Sequence, residues 1–404
     1  LTSMSLPFLL LLLLPHAILA SPDLGTATSN GDPEVNMTVP EIIRRWGYPV
    51  EVHTVTTEDG FILELHRIPR GRNENASSLP REPILLGHGL FCSSAVFVAN
   101  LPSQSAGFVF ADAGFDVWLA NSRGTRYSKK HARLSVNEND FWDWSWEQMA
   151  DYDLPALVSK VLAESGRPSL TYVGYSQGTL QMFAKLSADD VFAKKISRFF
   201  ALAPVGTVSH IWGLARNYTE WAELALPFMF AIRPIEVDRE VLSEIICVEA
   251  TQECADQAIE FGGAATGNFN MSRLSVYLAH MPDSTSLRNL LHWSQMMAHD
   301  DVILRYDYGG SKANTEVYGM TSPPALNLSA IHTPLFLFWS PADALADESD
   351  VIGFLLNQLP SCAVKLNRRL DNYNHLDFAF GLHATEDVYQ PIVRIIREEL
   401  GGSV

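Results

Sequence analysis

"LTYVGYSQG", residues 170–178, decides how the rest of the chain is read. Its first half, 170–175, is an apolar run of the kind that forms a buried strand. Its second half, Gly174-Tyr175-Ser176-Gln177-Gly178, matches G-x-S-x-G, and a helix-period segment over 177–188 follows. Strand, tight turn and helix form the context in which this motif projects a serine hydroxyl at a sheet edge. The glycines permit the turn, and the helix start behind Ser176 offers backbone N–H groups and a positive dipole end. A serine at its free pKa is a poor nucleophile. It needs a base, and the base needs a third group to orient it.

In this context the acid follows the serine and the histidine comes last. That order points to "DNYNHLDFAF", residues 371–380, where His375 lies in a loop before the last helix-like segment. Its rivals are His332, which precedes a strand, His383, which is nearing that helix, and His280, His292 and His299 further upstream. The acid should follow the strand-like run "PLFLFWS", 334–340, and Asp343 in "SPADALAD" is the nearest acidic residue. Asp347 reads better as the N-cap of a helix. Asp377 is close to His375 but reads as structural support, since the orienting acid normally comes from another loop. Acyl transfer also needs donors for a negative oxygen. One is the backbone N–H of Gln177. The other is that of Leu90, in the His88-Gly89-Leu90 turn that ends the run "ILLGH", 84–88.

The runs 84–88, 115–121, 170–176, 198–204 and 334–340 read as buried strands. Helix-period segments at 156–165, 177–188, 347–358 and 385–399 alternate with them, which predicts a mostly parallel sheet with helices on both faces. "EVHTVTTEDGFILELHRIP", 51–69, alternates around Asp59-Gly60 and predicts a hairpin. Residues 206–330 break the alternation and are rich in Trp, Phe, Met and Leu. They read as an inserted, mainly helical cap. The chain is thus expected to divide into a signal peptide (1–20), a loose polar leader (21–39), a first core part (40–205), the cap (206–330) and a second core part (331–404).

The 404 residues are 47% hydrophobic and 19% charged, a globular composition. The net charge of -17 argues against nucleic acid and disfavours attraction to anionic lipid at neutral pH. It suits an acidic compartment, where carboxylates gain protons. The apolar run 6–20 has the length of a signal-peptide h-region and is short for a membrane span. Behind such a segment, Asn36, Asn75, Asn217, Asn270 and Asn327 match the N-glycosylation pattern and are expected at the surface. Cys247 and Cys254 are the obvious local disulfide pair, whereas Cys92 and Cys362 could pair or remain thiols. No zinc-type cysteine spacing is present.

Taken together, "IIRRWGYPVEVHTVTTEDGFIL", "GHGL", "ADAGFDVWLANSRG", "YDLPALV", "VGYSQGT", "FALAPV", "DALAD" and "YNHLDF" resemble the acid lipase family of α/β-hydrolases, from about Asp32 to Leu400. The resemblance implies an α/β-hydrolase fold with a cap over roughly 206–330. It implies the nucleophile at Ser176, the acid at Asp343, the base at His375 and the oxyanion donors at Leu90 and Gln177. The family's cap disulfide falls on Cys247 and Cys254. The resemblance also implies no metal or cofactor, and neutral lipids (triacylglycerols, cholesteryl esters) met at a lipid-water interface, in the lysosome lumen or outside the cell. Neither nucleic acid nor a transmembrane segment in the mature chain belongs to this expectation, and the oligomeric state is left open. The alternatives are a phospholipase, a short-chain carboxylesterase, or a lipid carrier without turnover. Tyr175 departs from the family, many of whose members carry His before the nucleophile.

Overall fold

The strands run in chain order: β1 (Glu51–Thr56), β2 (Phe61–Ile68), β3 (Pro83–Gly87), β4 (Asp116–Ala120), β5 (Lys130–His131), β6 (Leu170–Tyr175), β7 (Ile196–Leu202), β8 (Glu236–Val237), β9 (Thr285–Ser286), β10 (Leu335–Trp339) and β11 (Val364–Arg369). They belong to a computed structural model that describes residues 32–74, 81–214, 216, 236–237, 252–299 and 301–401. The expected signal peptide (1–20), Asn75, Asn217 and Cys247 lie outside the described residues. One sheet has the order β1-β2-β4-β3-β6-β7-β10-β11, with β5 beside β2. β1 and β2 form the expected hairpin, Glu51 opposite Arg67 and Thr56 opposite Ile62, and β2 meets β4 antiparallel. From β4 to β11 every pairing is parallel.

Strands β3, β4, β6 and β10 are buried at every residue, which is why they read as continuous apolar runs. Their side chains alternate between two cores. Val173 and Tyr175 of β6 and Phe336 and Phe338 of β10 face one, and Leu170, Tyr172, Leu335 and Leu337 face the other. Helices close both faces: α1 (Val39–Arg45), α2 (Ala106–Asp112), α3 (Leu154–Ser165), α4 (Gln177–Ala188) and α9 (Gln390–Glu399), the last three being expected from sequence. Pro155 follows directly on a stretch of wider π-type turns, Met149–Asp153, within one continuous helical run, so it marks an irregularity and not a helix start. The expected helix over 347–358 begins as wider π-type turns at Ser349–Leu355, with the Asp347 carboxylate capping the Ser349 N–H at 2.7 Å.

Between 206 and 330 the described residues form α5 (Gln252–Gly262), α6 (Leu274–His280), α7 (Leu287–Met297), α8 (Ser311–Tyr318) and the antiparallel pair β8–β9. They belong to the same compact unit as the sheet, Glu34–Val404. Because the strands are parallel, the loops after β3, β6, β10 and β11 leave the sheet at one end. This is where such sheets build sites. His88, Ser176, Asp343 and His375 all lie in those loops.

Candidate active site

Ser176 links β6 to α4 with φ +55° and ψ −124°, a conformation that costs a non-glycine residue about 1–2 kcal/mol. The surroundings hold it there. Its N–H donates to Leu202 O at 3.0 Å, and its carbonyl accepts from Thr179 N at 2.8 Å and Thr179 Oγ1 at 2.7 Å. Each motif glycine meets backbone. A Cβ on Gly174 would lie 3.0 Å from the Gly178 carbonyl, and one on Gly178 would collide with the Gly87 oxygen. A Cβ on Gly89 would come within 2.9 Å of Ser176 Cβ, so the 88–90 turn is packed directly on the serine.

His375 and Asp343 come together although they are far apart in sequence. His375 Nδ1 lies 2.9 Å from Asp343 Oδ2 and 3.0 Å from Oδ1, and both residues are buried. Asp343 Oδ1 also accepts from Leu345 N at 2.8 Å and Ala346 N at 2.9 Å. These donors fix the orientation of the carboxylate. With Nδ1 donating to Asp343, Nε2 is left as the basic nitrogen. Among the described residues no hydrogen bond joins His375 to Ser176 Oγ; such contacts commonly tighten only with substrate bound.

Three contacts that sequence reading missed hold His375 and the 88–90 turn. Tyr175 Oη donates to His375 O at 3.0 Å, with the two rings 5.2 Å apart. The residue that departs from the family thus tethers the histidine loop, and burial keeps its phenol far above the ordinary pKa and neutral. Gly262 O, at the end of α5, accepts from His375 N at 2.9 Å and from Ala344 N at 3.1 Å. Gly263 adopts φ +133° against the Ala342 backbone, where a Cβ would collide with the Ala342 oxygen. His88 braces the 88–90 turn: Nδ1 lies 2.9 Å from Gly89 O, and Nε2 accepts from Ser122 N at 3.0 Å. Burial lowers the His88 pKa, so the ring is neutral and can accept at Nε2.

Among the described residues, the backbone N–H groups of Leu90 and Gln177 enter no hydrogen bond. Both flank the serine, Leu90 through Gly89 and Gln177 as its neighbour. Asp377 is fully buried beside the pair. Its Oδ2 accepts from Thr266 Oγ1 at 2.5 Å and Asn374 N at 2.9 Å. Burial pushes its carboxyl up to about 6, and the Asp343 charge acts in the same direction. His332, His383 and His299 are exposed, and His292 is buried between Ser145 Oγ and Leu304 O. His280 Nε2 lies 2.9 Å from Glu34 O.

Of the sequons, Asn36 and Asn327 are exposed. Asn270 corrects the surface expectation: it is 4% exposed, and its Nδ2 donates to Asn100 Oδ1 at 2.9 Å and Gln104 Oε1 at 2.8 Å. A glycan on that nitrogen would replace one of the two hydrogens these bonds use. The tripeptide pattern does not report burial. Cys254 is disulfide-bonded, and Cys92 and Cys362 are free thiols.

Residues 82–382 match the family described as "alpha/beta hydrolase fold", and residues 39–101 match "Partial alpha/beta-hydrolase lipase region". Lipase lipl-1 of Caenorhabditis elegans is 44% identical over 386 residues, covering 93% of this chain and 95% of the relative. Gastric triacylglycerol lipase of Bos taurus is 38% identical, covering 93% and 94%. Among solved structures, a soluble variant of monoglyceride lipase from Saccharomyces cerevisiae gives a TM-score of 0.54 at 14% identity, covering 90% of this chain and 96% of that one. The alpha/beta hydrolase GrgF from Penicillium sp. sh18 gives 0.52 at 15%, covering 87% and 98%. These structures share the fold, and the curated relatives share the sequence along almost their whole length. The chain therefore belongs to the lipases of the α/β-hydrolase family, and its class of activity is carboxylic ester hydrolysis.

Proposed function

We propose that this chain is an acid lipase of the secretory pathway that cleaves neutral-lipid esters through an acyl-enzyme on Ser176. The observation that carries the reading is the buried Asp343–His375 pair, tethered by Tyr175, the residue before the strained serine. His375 Nε2 takes the Ser176 proton as Oγ attacks the ester carbonyl. The carbonyl electron pair moves to its oxygen, which meets the N–H groups of Leu90 and Gln177. Collapse expels the alcohol, which receives the proton from His375. Water, activated by the same nitrogen, then releases the fatty acid and restores Ser176. Asp343 holds the ring orientation and balances its charge while His375 is protonated.

Triacylglycerols and cholesteryl esters are the proposed substrates, supported by relatives at this identity that include a gastric triacylglycerol lipase. The disulfide at Cys254 and the exposed sequons at Asn36 and Asn327 support an oxidising route, to the lysosome lumen or out of the cell. The net charge of -17 supports work at acidic pH, where repulsion from anionic lipid shrinks.

Hydrolysis of triolein, cholesteryl oleate and phosphatidylcholine emulsions at pH 5 and pH 7 tests this. Turnover of the first two, faster at pH 5, is expected. Turnover of phosphatidylcholine alone, or of only short soluble esters at neutral pH, overturns the substrate assignment. A serine-directed phosphonate should label wild type and not Ser176→Ala; equal labelling of both overturns the mechanism.

A further inference from the structure

Gln177 offers more than its backbone amide. Its side chain is buried, and its Oε1 accepts two hydrogen bonds, from Asn289 Nδ2 at 2.9 Å and from the Trp293 indole Nε1 at 2.7 Å. Both donors lie on α7, four residues apart, and so on one face of that helix. The amide orientation follows from chemistry. An indole N–H only donates, so the Gln177 atom it faces is the carbonyl oxygen. Two donors occupy both of that oxygen's lone pairs. The other end of the amide meets only a soft sulfur, Met149 Sδ at 3.6 Å. The acceptor end therefore holds the side chain.

The clamp is itself anchored. Asn289 Oδ1 accepts from Trp146 N at 2.8 Å, its Nδ2 also reaches Thr285 Oγ1 at 3.1 Å, and its N–H donates to Ser286 Oγ at 3.0 Å. Asn289 is fully buried and Trp293 nearly so. A buried amide network often does no more than join two elements. This one ends on the residue directly after the positive-φ serine, at the first position of α4. Side chain and N–H share one Cα, so a side chain fixed at its far end limits how the amide plane can turn. Oxyanion stabilisation depends on that direction, because the donor must meet the oxygen at about 2.7–3.1 Å.

We propose that Asn289 and Trp293 are positioning residues for the ester hydrolysis: by clamping the Gln177 side chain they aim the Gln177 backbone N–H at the developing oxyanion. This rests on the oxyanion role proposed above. It makes α7, in the inserted segment, part of transition-state stabilisation.

The test is a cycle of Trp293→Phe, Gln177→Met and the double variant on the full chain. It is read with p-nitrophenyl butyrate and with an alkyl boronic acid as transition-state mimic. Trp293→Phe keeps the ring and removes the N–H. It should lower kcat about tenfold, with KM within about twofold, and weaken boronate inhibition by the same factor. Gln177→Met removes the acceptor and should do likewise. The double variant should be no worse than the worse single one, because both changes cut one link. Losses that multiply, or a KM that rises with kcat and boronate affinity kept, overturn the positioning role. Thermal unfolding checks each variant; if Trp293→Phe does not fold, Gln177→Met alone must show the kcat loss or the proposal fails. A wild type that is neither labelled by a serine-directed phosphonate nor active removes the lipase reading and this proposal together. A labelled wild type with indifferent variants removes only the proposal.

Discussion

Two histidine–aspartate pairs in this molecule have the same contact distance and different surroundings. His375 Nδ1 lies 2.9 Å from Asp343 Oδ2, and His210 Nδ1 lies 2.9 Å from Asp350 Oδ1. Both aspartates are buried, and the second pair even has a serine. Ser209 Oγ lies 3.0 Å from Asp350 Oδ1 and 3.1 Å from His210 Nδ1. But that serine shares the ring nitrogen that faces the acid, whereas proton relay needs it on the opposite nitrogen. Asp350 also accepts from Thr207 Oγ1 at 2.7 Å and from His210 N at 3.1 Å. It gathers the strand-end loop 207–210 onto the helix at 349–355. The His210 side chain is 47% exposed against 4% for His375. A histidine, a serine and a carboxylate within reach are thus insufficient. The strained turn, the N–H pair and a second ring nitrogen kept available distinguish the site.

Ser176→Ala should break the first constellation most severely, lowering kcat by about 10⁶-fold in emulsion assays with little change in folding. Asp343→Asn should cost about 10⁴-fold, since the amide would select the wrong His375 tautomer. The counterpart is Asp350→Ala. It strands the hydroxyls of Thr207 and Ser209 and should destabilise by about 3 kcal/mol in urea unfolding at pH 7. Its turnover per folded molecule should stay within about twofold. A kcat loss there comparable to that of Asp343→Asn would break the comparison.

The smallest effect concerns pH. The Asp377 carboxyl is raised to about 6 in the folded chain from an ordinary 3.8, so the folded state holds its proton more tightly. That contribution to stability is fully present below about pH 3.8 and is lost as pH rises through about 6. Between pH 4 and pH 6 it should fall by about 2 kcal/mol. Urea unfolding of wild type and Asp377→Asn should therefore show a stability difference that changes over that window and levels off above pH 7. A constant difference would show that Asp377 does not titrate there.

The sheet was legible where burial is uniform. Strands β3, β4, β6 and β10 are apolar at nearly every position because helices cover both faces. Among the elements that escaped, two did so for opposite reasons. The β11 strand, Val364-Lys365-Leu366-Asn367-Arg368-Arg369, lies at the sheet edge and alternates, so it lacks the apolar run of its neighbours. The α2 helix, "AGFVFAD", is buried at six of its seven residues and has no polar face to set a helical period. At the site, the order of serine, acid and histidine pointed to residues whose roles now await the variants above. The supports were not legible. Tyr175 reaches His375 across 200 positions and His88 reaches Ser122 across 34, and no local pattern encodes a partner so distant. Asn270 shows the converse: a perfect tripeptide pattern on a residue whose amide is already engaged.

The Gly262 carbonyl bears on how such enzymes can be recombined. One oxygen, at the end of α5, receives an N–H from the Asp343 loop and another from the His375 loop. Exchanging residues 206–330 as a block between relatives would replace the peg on which both loops hang. A chimera that keeps residues 252–264 from the recipient would retain that alignment, and grafts joined downstream of α5 would be the ones expected to remain active.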